Sequence, residues 1–424
     1  MPSGSSPTPA PPDAAEAVLA AWRRNLVALT AAVFIGFTGF TLVMPFLPIY
    51  IGQMGVTDPG VIAAWTGVTL GVTPAMTALF SPLWGRLADR FGRRFMVARS
   101  LVSFVFIMGA MAFVTQPWHL FALRVLQGFF AGYGALALAM AAESAPPGRM
   151  AQSIGLVQTG GRLGPALGPV IGGLVAGVVG LRATFFVAAA FYGIAFVLVL
   201  TMYTEPASPP RTAASADSGG QVTFRSVMAF ENFLLLMAVI FGLQFVDRSF
   251  GPVLPLMIAE TGMGARDAAL SSGIIFSVIA CSAALGHHYC ARLLKRWSSR
   301  LVISRAAVVA AAATVGMAVS SGTWWLGLSA FVFGVSIGAA MTAAYTAAAN
   351  NFPDNLRATG FGFLTSASLV GLAVSPMVAG ALAGVGIRTI FVVNVVILVV
   401  LGAVVRRTME EAATETTAPA VEDA

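Results

Sequence analysis

Charge is what this 424-residue sequence has least of: Asp, Glu, Lys and Arg make up 10% of it, against roughly 25% in soluble domains. Lysine is all but missing, with Lys295 the single example, in Leu-Leu-Lys-Arg. A phosphate-cradling P-loop needs a lysine directly after its glycines, so the chain has no site of that kind for ATP. Histidine is equally scarce, at three residues: His119, which follows Trp118, and the adjacent pair His287-His288. A zinc enzyme sets two histidines at i and i+4 on one helical face. Adjacent residues point about 100° apart, so the pair offers no metal site. The two cysteines, Cys281 and Cys290, fall in one expected helix and too far apart along it for a disulfide, so both are expected as free thiols. Residues 1–22 lack a basic segment followed by a cleavage site and are rich in Pro, Ser and Ala, which predicts a disordered tail rather than a signal peptide.

What is abundant is apolar: 58% of residues are hydrophobic, and a spanning helix needs about 20 mostly apolar residues in a row. Runs of that kind occur near 26–51, 61–84, 96–115, 118–141, 151–179 and 182–203, and again near 230–258, 268–290, 301–320, 323–350, 358–384 and 386–405. Twelve spans put both ends on one side. Of the 24 Lys and Arg residues, 18 fall in the segments that share the N-terminus's side. Three (Arg182, Arg266, Arg388) fall on the other, and three (Arg124, Arg162, Arg248) lie inside spans. Short cationic loops stay in the cytoplasm, so both termini are expected there, in the cell's inner membrane. The net charge of +7 then reflects attraction to the anionic leaflet and calls for no nucleic-acid partner.

The long polar stretch 204–228, with Pro206, Pro209, Pro210, Gly219 and Gly220, divides the chain. The expected organisation is a tail (1–22), a six-helix bundle (23–203), a cytoplasmic linker (204–228), a second six-helix bundle (229–407) and an acidic disordered tail (408–424). A shift of 206 to 207 residues superposes the halves. Pro45 and Pro48 fall on Pro252 and Pro255, and Arg86, Arg90 and Arg94 on Arg292, Arg296 and Arg300. Trp118, Gly128 and Gly132 fall on Trp324, Gly334 and Gly338, and Pro169 and Gly173 on Pro376 and Gly380. Two parallel six-helix repeats are a transporter plan. The fold class is therefore all-α integral membrane, with twelve transmembrane helices in two repeats. Polar residues of the first half, Asp89, Arg124 and Arg162, have no counterparts in the second.

Three motifs carry the mechanism. Residues 82–95 read as a charged hairpin loop bracketed by Gly85 and Gly92, where Asp89 is surrounded by Arg86, Arg90, Arg93 and Arg94. An acid so placed can pair with a guanidinium or cap a helix terminus. The fourth span holds Arg124-Val-Leu-Gln127-Gly128, with Gly132 one turn on; a charge inside a span is functional by default. In the fifth span, Gly155, Gly164, Gly168, Pro169, Gly172 and Gly173 accompany a row of glycines at 160, 164, 168 and 172. That row is a face on which another helix can pack closely, and Pro169 removes a backbone donor.

The loop (Gly85, Leu87, Asp89, Arg90, Gly92, Arg93, Arg94) resembles the signature of the major facilitator superfamily between its second and third helices. Arg124 to Gly128 resembles the superfamily's second motif, in which an intramembrane Arg is implicated in proton coupling, and Gly155 to Gly173 reproduces the spacing of its antiporter motif. With the Val-Met-Pro-Phe-Leu-Pro end of the first helix, these residues resemble the twelve-span drug:proton antiporter family of bacterial multidrug efflux proteins. The resemblance implies a cofactor-free secondary transporter, not an enzyme, driven by the proton gradient and exporting small amphipathic molecules by alternating access. It implies a small-molecule substrate, protons and the lipid bilayer as partners, with a monomer expected. An alternative is a proton-coupled exporter or symporter of a sugar or other metabolite on the same fold. The first helix, 26–51, departs from several relatives in holding no acid. The coupling acid is then sought elsewhere, and Asp247, near the middle of the seventh span, is the candidate beside Arg124. Arg162, Gln244, Arg248 and Tyr345 are candidates for the cargo cavity.

Overall fold

Apolar runs of this length satisfy every backbone N–H and C=O internally only as helices, and every regular element among the described residues is helical. The computed structural model describes residues 12–146, 149–205, 232–320, 322–351 and 354–410. The first half comprises α1 (Pro12–Thr41), a 3-10 turn (Met44–Phe46), α2 (Leu47–Gly52), α3 (Pro59–Phe91) and α4 (Arg93–Met111), then α5 (Pro117–Phe129), α6 (Tyr133–Glu143), α7 (Met150–Val179) and α8 (Leu181–Met202). The second comprises α9 (Phe233–Arg248), α10 (Leu254–Ala259), α11 (Ala265–Leu294), α12 (Ser299–Ala318), α13 (Thr323–Asn351), α14 (Asp354–Leu382) and α15 (Thr389–Thr408). Eleven helical stretches among the described residues are long and apolar enough to cross a membrane. The expected span 230–258 begins outside the described residues, and its described part is divided into α9 and α10.

The internal repeat is visible in where helices break. Pro45 and Pro48 lie at the interruption between α1 and α2, and Pro252 and Pro255 at the one between α9 and α10; proline lacks the N–H that would continue the ladder. Each half is also closed by an asparagine clamp. Asn25 Nδ2 donates to the Thr204 carbonyl at 2.7 Å, and Thr204 N–H donates back to Asn25 Oδ1 at 2.9 Å. In the second half Asn232 Nδ2 donates to the Glu410 carbonyl at 2.8 Å, and Glu410 N–H returns the bond to Asn232 Oδ1 at 3.0 Å. The two clamps obey the sequence shift: Asn25 within α1 and Asn232 just before α9 each hold the second residue after the last helix of their half. Asn232 has φ 62°, a left-handed conformation that Asn tolerates better than most residues.

Three local expectations are corrected. The irregular tail expected over 1–22 gives way to helix from Pro12, in Ala-rich sequence that favours helix; Trp22 is buried and its Nε1 donates to Ser153 Oγ at 2.8 Å. The hairpin expected over 82–95 is helix up to Phe91, broken at Gly92 alone, with φ 89° and ψ 139°. Trp84, edge-on to Phe129 and donating to its carbonyl, holds that extension down. The fourth span, expected unbroken over 118–141, is interrupted between α5 and α6 at Gly132, whose φ is 119°. Most of the expected linker and acidic tail, 206–231 and 411–424, lies outside the described residues.

The chain divides into two compact units. The first holds Met1–Ala213 with Ser249–Ala280 and Ala373–Ile390; the second holds Ala214–Arg248, Cys281–Leu372 and Phe391–Ala424. Large apolar side chains such as Phe106, Phe113 and Val178 are exposed, as lipid-facing residues should be. Trp118 and Trp324, equivalent under the repeat, are both exposed near helix starts, where interfacial tryptophans collect.

Candidate functional site

The glycine row of α7 lies on α1, turn against turn. A β-carbon at Gly160 would stand 2.8 Å from the Thr30 carbonyl oxygen, and one at Gly164 would stand 2.8 Å from that of Phe34. At Gly168 it would stand 2.8 Å from the Thr38 carbonyl oxygen, and at Gly172 it would run into the Leu42 carbonyl. The partner is thus α1 of the same half. The next face of α7 meets the second half: Gly173 abuts Ala269 and Leu270, Gly273 of α11 abuts the Pro169 carbonyl, and Val170 N–H donates to Ser277 Oγ at 3.1 Å. α3 and α14 meet in the same backbone-to-backbone way, Gly67 against Pro376, Gly71 against Ala373 and Gly380 against Ala63. All these contacts lie within the first unit, and those made with α11 and α14 involve the C-terminal half of α7 and the half of α3 farther from Gly92. Gly155 is exposed with nothing near it.

Around Gly92 the charges are shared between helices. Arg93 Nη1 lies 2.9 Å from Glu143 Oε1, whereas its Nη2 is 3.6 Å from Asp89 Oδ1, and the Asp89 side chain is 68% exposed. The closer partner of Arg93 is therefore Glu143, at the end of α6. Arg94 donates to the Leu200 carbonyl at 2.6 Å, and Arg90 packs over Phe91. Arg99 stacks 3.6 Å from the centroid of Trp84 and donates to the Phe130 carbonyl. Arg24 binds the Thr204 hydroxyl. Burial first, then Glu205 and Glu143, push the Tyr203 phenol well above its ordinary value, against Arg93 and Arg94. Gly85 was expected to bracket a turn, but it is helical and a β-carbon there would meet nothing.

Arg124 is 1% exposed, so it does not reach back to the interface. Its Nη1 donates to Gln127 Oε1 at 3.1 Å, its guanidinium sits 5.7 Å from the centroid of Phe40, and its carbonyl accepts from Thr73 Oγ1 at 3.0 Å. Gly128, one turn on, lets α5 press on Thr73 and Met76 of α3. Arg162, also in the first unit, is exposed and lies off the glycine face of α7. In the second unit, Arg248 Nε lies 3.1 Å from Asp247 Oδ2, with both side chains partly exposed. One turn earlier Gln244 accepts from Ser368 Oγ of α14 at 3.3 Å. Tyr345 stacks on Phe361 with centroids 6.2 Å apart.

Sequence reasoning passed over several groups. His287, considered only as a metal ligand, has Nδ1 2.7 Å from Thr342 Oγ1 on α13, beside the close contact of Gly286 with Val335. Tyr133 and Tyr192 form the aromatic wall near Arg124; no spacing ties either to residue 124, and only the fold brings them together. Cys281 and Cys290 are free thiols, as expected. A cavity of about 410 Å³ opens among Gln53, Gly180, Arg182 and Arg266, apart from every residue predicted to bind cargo. Among the described residues no cluster of His, Cys, Asp and Glu could hold a metal.

Helices of membrane length, an internal repeat, backbone-contact seams and charges placed inside spans define a solute transporter rather than an enzyme. The sequence profile of the Major Facilitator Superfamily matches residues 29–368 and, again, 291–423. The chain is 29% identical over 378 residues to "Multidrug resistance protein MdtG" of Enterobacter lignolyticus, covering 89% of this chain and 90% of that protein. It is 30% identical over 378 residues to the protein of the same name from Salmonella arizonae, covering 88% and 92%. Among solved structures it resembles a bacterial homologue of the human lysosomal transporter Spinster in an inward-facing, unoccupied conformation, with TM-score 0.78 and 18% identity over 96% of this chain and 98% of that one. The nucleoside transporter NupG gives TM-score 0.70 and 16% identity over 91% and 100%. The chain belongs to the Major Facilitator Superfamily. It is a multi-pass membrane transporter of a small molecule, in a family that needs no cofactor.

Proposed function

We propose that the protein is a proton-driven exporter of small, drug-like amphipathic molecules in the inner membrane, with both termini cytoplasmic, working as a monomer by alternating access. The observation that carries this reading is the α7 seam. A helix whose glycines let it touch backbone on α1 along one face and on α11 along the next can join two halves tightly while they rock, limiting ion leakage. The multidrug-resistance names of relatives matched along most of the chain support drug-like cargo. On this reading the contacts of α3 with α14 and α7 with α11 close the outer ends, and Gly92 marks the cytoplasmic side.

Asp247 carries the proton in this mechanism. Burial raises a carboxyl pKa and a guanidinium lowers it, so an acid whose distance from arginine changes during rocking changes its hold on the proton. Arg248 is the arginine already beside it; Arg124 is the fixed intramembrane charge of the other half. With roughly 100 mV and one pH unit, a proton entering releases about 2.3 plus 1.4 kcal/mol, enough for a cargo gradient of several hundredfold. Gln244, Arg248 and Tyr345 of the second unit and Arg162 of the first are the residues assigned to cargo on this reading. Expression in a host lacking its own pumps tests the reading: resistance to amphipathic compounds should rise and vanish when the proton gradient is collapsed. Uptake of a sugar or metabolite without any change in resistance favours the symporter alternative.

A further inference from the structure

The surroundings of Arg124 are unbalanced. Arg124, Gln127 and Tyr192 are at most 1% exposed and Tyr133 is 6% exposed. Three of their polar atoms, Arg124 Nε and Nη2 and Tyr133 Oη, have no hydrogen-bond partner among the described residues, while Gln127 and Tyr192 approach each other closely enough for a side-chain hydrogen bond. Every one can donate, and among the described residues no carboxylate pairs with the guanidinium. Tyr192 lies close enough to Arg124 for the two to interact electrostatically, and Tyr133 close enough to Tyr192. Phe104, Phe37 and Phe40 supply the apolar remainder of the wall. A buried cation without a partner carries a desolvation penalty of several kcal/mol, and orphaned buried donors call for an acceptor. Water can serve the hydroxyls and amide, but it does not neutralise a guanidinium.

We propose that Arg124, Gln127, Tyr133 and Tyr192 form a binding site for a compact, singly charged anion within the first-half helices. The anion is either a free inorganic ion or the acidic group of a cargo molecule; the chemistry is the same, a small acceptor of bidentate guanidinium and hydroxyl donors. This rests on Arg124 being part of the transport machinery and adds what it holds: the membrane-spanning stretch of the first helix, 26–51, has no acid to offer it, and on this proposal the counter-charge comes from outside the chain. Breaks at Gly132 and the 3-10 turn at Met44–Phe46 lie on the elements that would separate to admit it.

The test is equilibrium binding to the full-length protein in lipid nanodiscs with no proton gradient, so that its outcome is independent of whether protons are exchanged for cargo. Melting temperature is followed by tryptophan fluorescence at constant ionic strength while sodium gluconate is replaced by chloride, formate or benzoate. A saturable rise is expected, absent in Arg124→Gln and with roughly tenfold weaker apparent affinity in Tyr192→Phe, which removes one hydrogen bond to a charged partner and keeps the ring. A response to chloride and formate assigns a free anion, and a response to benzoate alone assigns the acidic group of cargo. No response to any anion, or one unchanged in Tyr192→Phe, overturns the proposal and leaves water as the acceptor.

Discussion

At the scale of single residues, Asp89 and Glu143 divide the work around Arg93. Glu143 makes the closer ion pair, and Asp89 stays largely in solvent, free to engage another partner when the cytoplasmic side shuts. Asp89→Asn should therefore insert and melt like the parent while turnover falls sharply; a normal export rate would remove its latch role. Glu143→Gln should lower stability, by at most about 1 kcal/mol because the pair is partly exposed, and denaturation in detergent measures it. Tyr203 gives a pH signature. Its folded-state pKa is raised, so its contribution is complete below the ordinary tyrosine value near 10 and fades as the pH climbs through the raised one. Tyr203→Phe should leave neutral stability nearly unchanged and flatten the alkaline loss; an unaltered alkaline profile would contradict this.

At the scale of elements, the account turns on helices that touch through backbone. Gly164→Leu drives a side chain into the Phe34 carbonyl and the Phe37 β-carbon. Overpacking typically costs about 1 to 3 kcal/mol, so transport should fail while the protein still reaches the membrane; export at the normal rate would mean the seam separates freely. The clamps make a second prediction. Asn25→Ala and Asn232→Ala each remove a reciprocal pair of hydrogen bonds, at about 0.5 to 1.5 kcal/mol per bond. The two clamps belong to different units, so the losses should add in the double variant. The glycine row and the repeat were legible in the sequence because both are periodic. The Asn clamps obeyed the same shift yet went unseen, since Thr204 and Glu410 take part through their backbones. The bracketing role given to Gly85 failed for a related reason: a glycine in sequence does not reveal whether it serves a turn, a contact or neither.

At the scale of the whole molecule, the fold was written in apolar runs, loop cations and the repeat, all of which are one-dimensional signals. The site was only half legible. Arg124 and Asp247 stand out because charge inside a span is costly, whereas Tyr133, Tyr192 and His287 are unremarkable in sequence and acquire meaning only from what packs beside them. The central claim is that cargo leaves in exchange for protons through Asp247. Liposomes containing the protein and an internal pH dye test it most directly, with an amphipathic cargo added under an imposed gradient. The wild type should move protons when cargo is added, and Asp247→Asn should bind cargo yet move none. Cargo-driven proton movement that persists undiminished in Asp247→Asn would contradict the account and turn attention to Glu143, Glu231 and Glu260.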